Sequence, residues 1–244
     1  MINMFNLNFF RYIGLPLYLF VYLIIPYSAL TQTLKVDFIK NLETSLNKRD
    51  LDFIRKNFRN DENKNIPKQF SKIINDFPDS KWTIKRLKSN IPNKEILRIK
   101  VLGKKIINEE IHILESNFDY LFSILNGKID EGVIKNLFTT IRTDNNKIDI
   151  IFKIPDKVLT GSKYDIDIIL NKPLEEVIIA GAIKPHQVNS LFEQEILLEP
   201  LVSGGIFKMT RAPTKPVIQL WSGIIAHPLG MITFTKSIDI VDQI

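Results

Sequence analysis

The sequence predicts an α+β domain, with helices packed on an antiparallel sheet, followed by an all-β sandwich. Three observations carry this. From Lys35 to Phe77 apolar residues recur at helical spacing, and from Trp82 to Arg142 they alternate as in strands. Beyond Lys147 short alternating segments are separated by Pro, Gly and Asn turns with no helical period. Helices first and antiparallel strands afterwards exclude a βαβ order.

Ahead of these elements, residues 13–25 form an uncharged apolar run preceded by Arg11 and followed by Pro26, Tyr27, Ser28 and Ala29. A membrane span needs about 20 apolar residues, so the run suits a signal peptide, and extended back through Phe9, Phe10 and Tyr12 it suits an anchor. Residues 1–31 are therefore expected to export or anchor the chain. Residues 32–144 are expected to form the first domain and 145–244 the second.

In the first domain Phe38, Leu42 and Leu46 recur every four residues, and Asp50 is placed to cap a turn bearing Leu51, Ile54 and Phe58. Asp61–Asn65 reads as loop. Pro67 stands where a helix begins, followed by Phe70, Ile73, Ile74 and Phe77, and Pro78 ends it. Strands follow at Trp82–Leu87, Leu97–Val101, Ile107–Ile113 and Phe118–Ile124. Asn126-Gly127 then marks a hairpin, because both positions tolerate positive φ. The return strand runs from Lys128 to Arg142, with Gly132 marking a bulge.

This order, with Phe77-Pro78-Asp79 after the helices and a strand closing on Asn126-Gly127-Lys128-Ile129, resembles the nuclear-transport-factor-two-like superfamily, particularly its SnoaL-like branch, over residues 33–143. The resemblance implies an α+β cone, helices on a curved antiparallel sheet, opening into a pocket. The superfamily includes isomerases, dehydratases, hydrolases, cyclases and noncatalytic binding domains, and such cones often dimerise through their sheets. Cyclase-like members commonly follow Gly-Lys-Ile with an acid, a small residue or His, Trp, and a later Asp. Here Val133 stands at the aromatic position and no later Asp follows, which weighs against cyclase chemistry. With its apolar leader, the chain is similar to cyanobacterial and plastid proteins of this class, implying a thylakoid or periplasmic face.

No cofactor is expected. Zero cysteine excludes disulfides, thiolate metal sites and cysteine nucleophiles. Three histidines, His112, His186 and His227, leave little for a metal centre, and no glycine-rich phosphate loop is present. Candidate acid/base chemistry rests on His112 and Asp119, with Tyr120 as hydrogen-bond donor, if all three point into the cone. The plainer reading makes His112 a strand residue facing away from its isoleucine neighbours. Tyr120, Phe122, Ile111 and Ile113 are the expected pocket wall, for a small apolar ligand or a partner segment.

The formal charge is +6, inflated by 25 Lys among 40 Ile and 20 Asn, a bias typical of an A+T-rich genome. Nine cations crowd residues 81–105 against one acid, Glu95. Lys85, Arg86, Lys88, Arg98 and Lys100 form the expected basic face, for anionic lipid or an acidic protein. Nucleic acid ranks last, because no aromatic residues interleave the cations.

The second domain offers about seven strands between Ile148 and Val241, the strand count of an immunoglobulin-like sandwich, with Trp221 as inter-sheet anchor. His186 and His227 fall in expected turns beside Pro185 and Pro228. Leu201, Val202, Phe207 and Met209, around Gly204-Gly205, are an expected partner contact. The leading expectation is a noncatalytic ligand- or protein-binding protein at a membrane face, and the rival is a cone-pocket enzyme.

Overall fold

The computed structural model describes residues 36–59, 66–144, 148–171, 177–187, 197–201, 204–228 and 230–243. Three helices come first, α1 (Val36–Asn47), α2 (Leu51–Asn57) and α3 (Ile66–Asp76). Asp50 caps α2, its side chain accepting from the Phe53 N–H at 3.0 Å and satisfying a donor that has no partner within the helix.

A four-strand meander follows, β1 (Lys81–Leu87), β2 (Glu95–Ile107), β3 (Glu110–Leu125) and β4 (Lys128–Thr143). The turn between β2 and β3 puts Asn108 at φ 48° and Glu109 at φ 69°. Two consecutive left-handed residues reverse the chain, so Ile107–Ile113 is not the single strand its alternation suggests. The Asn126-Gly127 turn does close a hairpin, with φ values of 52° and 76°.

Two irregularities break the β3–β4 register, one between Asn117 and Asp119 and one between Leu121 and Ser123. The second sets Glu131 and Gly132 opposite one residue of β3, at the position the glycine marks. The first sets Asn136 and Leu137 opposite one residue, with Asn136 at φ 50°. Each extra residue sharpens the local twist of the strand.

The second half supplies β5 (Ile150–Lys153), β6 (Lys157–Leu159), β7 (Lys163–Leu170), β8 (Ala180–Gln187), β9 (Glu199–Pro200), β10 (Gly205–Arg211), β11 (Val217–His227) and β12 (Gly230–Val241). These strands do not stand apart. One sheet runs β1-β2-β3-β4-β12-β11-β8-β9, with β6 parallel to β12, and a second sheet runs β10-β7-β5. The expected α+β cone plus separate immunoglobulin-like sandwich is thus corrected: the described chain is mostly strand in large antiparallel sheets, with three helices of 12, 7 and 11 residues. The reason lies in β4. Its C-terminal part, Phe138–Lys236 through Arg142–Ile232, pairs with β12. The edge that would have bounded a cone is used to continue the sheet, which removes an open row of backbone donors and acceptors.

Two cores form on opposite faces of this sheet. On one face the helices cover Trp82, Ile84, Leu97, Ile99, Val101, Phe118, Tyr120 and Phe122. Its centre is aromatic: Phe70 meets Trp82 at 5.4 Å, and Tyr120 stacks on Phe122 at 5.1 Å. Leu114, on this face, pairs with Ile141, which pairs with Thr233. The residues flanking Thr233, Ile232 and Phe234, therefore point the other way, and they belong to the second core with Trp221, Ile225, Ile238 and Ile240. The sheet β10-β7-β5 covers that core through Tyr164, Ile166 and Ile168. Trp221 Nε1 donates to Tyr164 Oη at 3.0 Å, and Tyr164 donates to Gln219 at 2.8 Å, tying the layers together.

The two ends of the long sheet differ. At β1, helix α1 closes the edge. Trp82 N–H donates to Asn47 Oδ1 at 2.9 Å, Asn47 Nδ2 donates to the Trp82 carbonyl at 2.9 Å, and Ile84 N–H donates to Glu43 at 2.6 Å. At the far end β9 covers only Ala180 and Gly181 of β8.

Candidate functional site

The far end carries a groove of about 460 Å³. Its walls are Gly181–Lys184 of β8, Leu197 and Glu199–Leu201 around β9, and Ile206–Lys208 of β10. Strand β10 is an edge strand of its sheet, and β8 is next to last in the long sheet, flanked by the two-residue β9, so the groove lies where the two layers part. The Leu201 N–H donates to the Ile179 carbonyl at 2.7 Å, which fixes the direction of the β8 backbone. Odd-numbered residues of β8 aim their N–H and C=O away from β11, by the alternation of strand backbones. Gly181 meets Glu199 in this way, and Ile183, two residues on, lies past the end of β9. Pro185, next on that edge, has no N–H to offer and is tolerated there for that reason. It lies within β8 beside His186, so His186 is a strand residue and not part of a turn. Burial pushes the His186 imidazole below its ordinary pKa, against an opposing hydrogen bond with the Lys184 backbone.

Side chains at the groove are mixed. Phe207 is 54% exposed, and Leu201 and Ile206 pack toward the second core. Lys208 reaches inward with its ammonium 5.5 Å from the Trp221 ring, an attractive cation–π placement. Leu201 and Phe207 were expected contact residues. Met209 is exposed on the same strand, and Val202 lies outside the described residues. The edge of β8 was not foreseen, because its openness depends on where β9 stops.

The residues expected to do chemistry do not converge. His112 and Asp119 are seven positions apart on β3, and strand alternation puts them on opposite faces. His112 shares the helix-covered face with Leu114 and is 8% exposed. Asp119 faces away from the helices, where it accepts from Arg98 Nε at 2.8 Å and Nη2 at 3.0 Å. Asn136 Nδ2 also donates to it at 2.8 Å, so the carboxylate clamps the first bulge. Burial pushes the Asp119 carboxyl up, but the Arg98 and Asn136 hydrogen bonds and the Arg98 charge outweigh that and hold it below its ordinary pKa.

The expected pocket wall divides in the same way. Tyr120 and Phe122 lie inside the aromatic core, while Ile111 and Ile113 face outward. A Cβ on Gly132 would fall 1.8 Å from Tyr120 Oη, so that backbone lies directly against the phenol. Burial, helped by the Asp130 charge, raises the Tyr120 pKa far above its ordinary value. Among the described residues no group of His, Asp or Glu is placed to hold a metal.

The expected basic face is partly assembled. Lys85 pairs with Arg98, and Thr83 with Lys100, so Lys85, Arg98 and Lys100 share the face away from the helices. Arg86 points to the other face and is held by Glu95 at 2.6 and 2.9 Å. Lys88 is exposed beyond the end of β1. Register adds Lys81, opposite Leu102, and Lys104, opposite Ile113, to the outward face.

The apolar run 13–25 lies outside the described residues, among which no helix is long and apolar enough to cross a membrane. Over residues 145–241 the chain is similar to a family described as "Domain of unknown function (DUF8623)". No curated protein matches the chain, and no solved structure does. The comparisons return neither the nuclear-transport-factor-two-like nor the immunoglobulin-like resemblance.

Proposed function

We propose that this protein is a noncatalytic protein-binding module that captures an extended segment of a partner in the β8–β10 groove. The observation that carries this is the short reach of β9, which leaves Ile183, beside the groove, with no strand partner on that side among the described residues. An added strand would gain main-chain hydrogen bonds at such an edge, and pockets for alternate side chains would set its specificity. Phe207 supplies the apolar contact, and Lys208 favours acidic residues at the remaining positions. The occupant is therefore an extended segment alternating aliphatic and acidic residues. The separation of His112 from Asp119 favours binding over acid/base chemistry.

The test is titration of the protein with short blocked peptides alternating aliphatic and acidic residues, followed by amide hydrogen exchange. Binding should slow exchange at Ile183, and Phe207→Ala should weaken it at least about tenfold, the loss typical of a central apolar anchor. Peptide binding that leaves Ile183 exchange unchanged, or that is indifferent to Phe207→Ala, refutes the reading.

A further inference from the structure

The outward face of β1–β3 carries a second and independent surface. Neither covering layer is built on it: the helices pack on its reverse, and the residues that β10-β7-β5 covers begin at Phe138 of β4. Its register is fixed, with Lys81, Thr83 and Lys85 on β1 and Arg98, Lys100, Leu102, Lys104 and Ile106 on β2. On β3 it presents Asp119, Asn117, Glu115, Ile113 and Ile111.

The charges on this face divide into two sets. Asp119 is taken up by Arg98, and Glu115 by Arg142 at 3.2 Å. These pairs neutralise one another, leaving Lys81, Lys85, Lys100 and Lys104 with no ion pair among the described residues. The lysines are interleaved with exposed aliphatic side chains. Leu102, 42% exposed, stands across from Lys81 and between Lys100 and Lys104. Ile106, 71% exposed, pairs with Ile111 toward the hairpin end.

We infer that this face binds an anionic lipid bilayer. Lysine ammoniums on long aliphatic stems reach phosphate headgroups while neighbouring leucine and isoleucine meet the acyl boundary. That pairing of uncompensated cations with exposed aliphatics matches a membrane surface on both counts. A nucleic acid would answer the charge but not the aliphatics. The face offers no aromatic ring for bases to stack on, and the arginines that could grip phosphate bidentately are committed to Asp119 and Glu115. Glu109 and Glu110, at the hairpin turn, lie beyond the lysines and limit contact to the face rather than the tip.

The absence of cysteine makes the test direct, since Leu102→Cys in the full chain accepts a single polarity-sensitive fluorophore. Vesicles of phosphatidylglycerol in phosphatidylcholine should shift its emission to the blue at low salt, and added salt should reverse the shift. Each neutralised lysine near an anionic surface should weaken binding about fivefold, so Lys81→Gln with Lys100→Gln should need about 25-fold more vesicle for half response. Ile106→Cys gives a second reporter on the same face, and Met209→Cys, 70% exposed on β10, should stay silent. The inference is overturned by silence of both face reporters at low salt. An equal response to pure phosphatidylcholine or at Met209→Cys also overturns it, as does a response to an oligonucleotide that anionic vesicles fail to displace.

Discussion

Gly132 offers the sharpest test of how the helix-side core is built. The side chain that alanine adds would place its Cβ 1.8 Å from Tyr120 Oη and 2.2 Å from both Cε2 and Cζ. The phenol cannot step aside, because it is 2% exposed, stacked on Phe122 at 5.1 Å and on Phe58 at 6.1 Å. Overpacking a filled core typically costs about 1–3 kcal/mol, and two ring atoms and the hydroxyl oxygen inside contact distance put Gly132→Ala at about 3 kcal/mol. Tyr120→Leu removes the ring and by itself costs about 3 kcal/mol through the cavity it leaves. In the double variant the added methyl occupies part of that cavity, so the combined loss should fall about 2 kcal/mol short of the sum. Urea unfolding followed by far-ultraviolet circular dichroism measures all four corners of the cycle. A Gly132→Ala protein within 0.5 kcal/mol of the parent, or additive losses, would refute the account of Gly132 as a steric requirement of Tyr120.

Asp119 should lend stability in the neutral range and lose it in acid. Its folded pKa is lowered, so the contribution is full above the ordinary carboxylate pKa of about 3.9 and disappears as pH falls through the lower folded value. Urea midpoints of the parent and Asp119→Asn should therefore differ at pH 7 and converge in strong acid; a constant gap would show that the carboxylate charge is not the source. Asn47→Ala should uncap the β1 edge, accelerating amide exchange at Trp82 and costing about 1–3 kcal/mol for the buried groups left without partners, while unchanged exchange there would mean that α1 does not close the edge. Tyr164→Phe should strand the Trp221 indole N–H in the second core, at a similar cost of about 1–3 kcal/mol in urea unfolding; a stability equal to the parent would discount the bridge between layers.

Much of the local structure is legible in the residues. Asp50 at a helix start, the apolar spacing of Phe70, Ile73, Ile74 and Phe77, the Asn126-Gly127 turn and the Gly132 bulge each rest on chemistry within a few positions of chain. The Asn108–Glu109 turn and the Asn136 bulge escaped notice because no glycine marks them. There the hairpin and the Arg98–Asp119–Asn136 clamp hold non-glycine residues in the left-handed region, and such support comes from other strands. The candidate sites divide similarly. The cluster of lysines is written in the sequence, and so is the alternation that places Arg98 and Lys100 together. Which arginines are consumed by acids is set by register, 21 residues apart for Arg98 and Asp119.

The sequence by itself determined the helix and strand periods, the capping and hairpin signals, the cysteine-free chemistry and the cationic stretch, because each depends on neighbours along the chain. Only the tertiary structure decided that β4 pairs with β12, that the two cores lie on opposite faces of one sheet, and that His112 and Asp119 never meet. Those outcomes depend on which strand edges find partners. That choice is made between segments about 100 residues apart, as for Leu137 and Ser237, where the energy of closing an edge and burying a face outweighs any local preference.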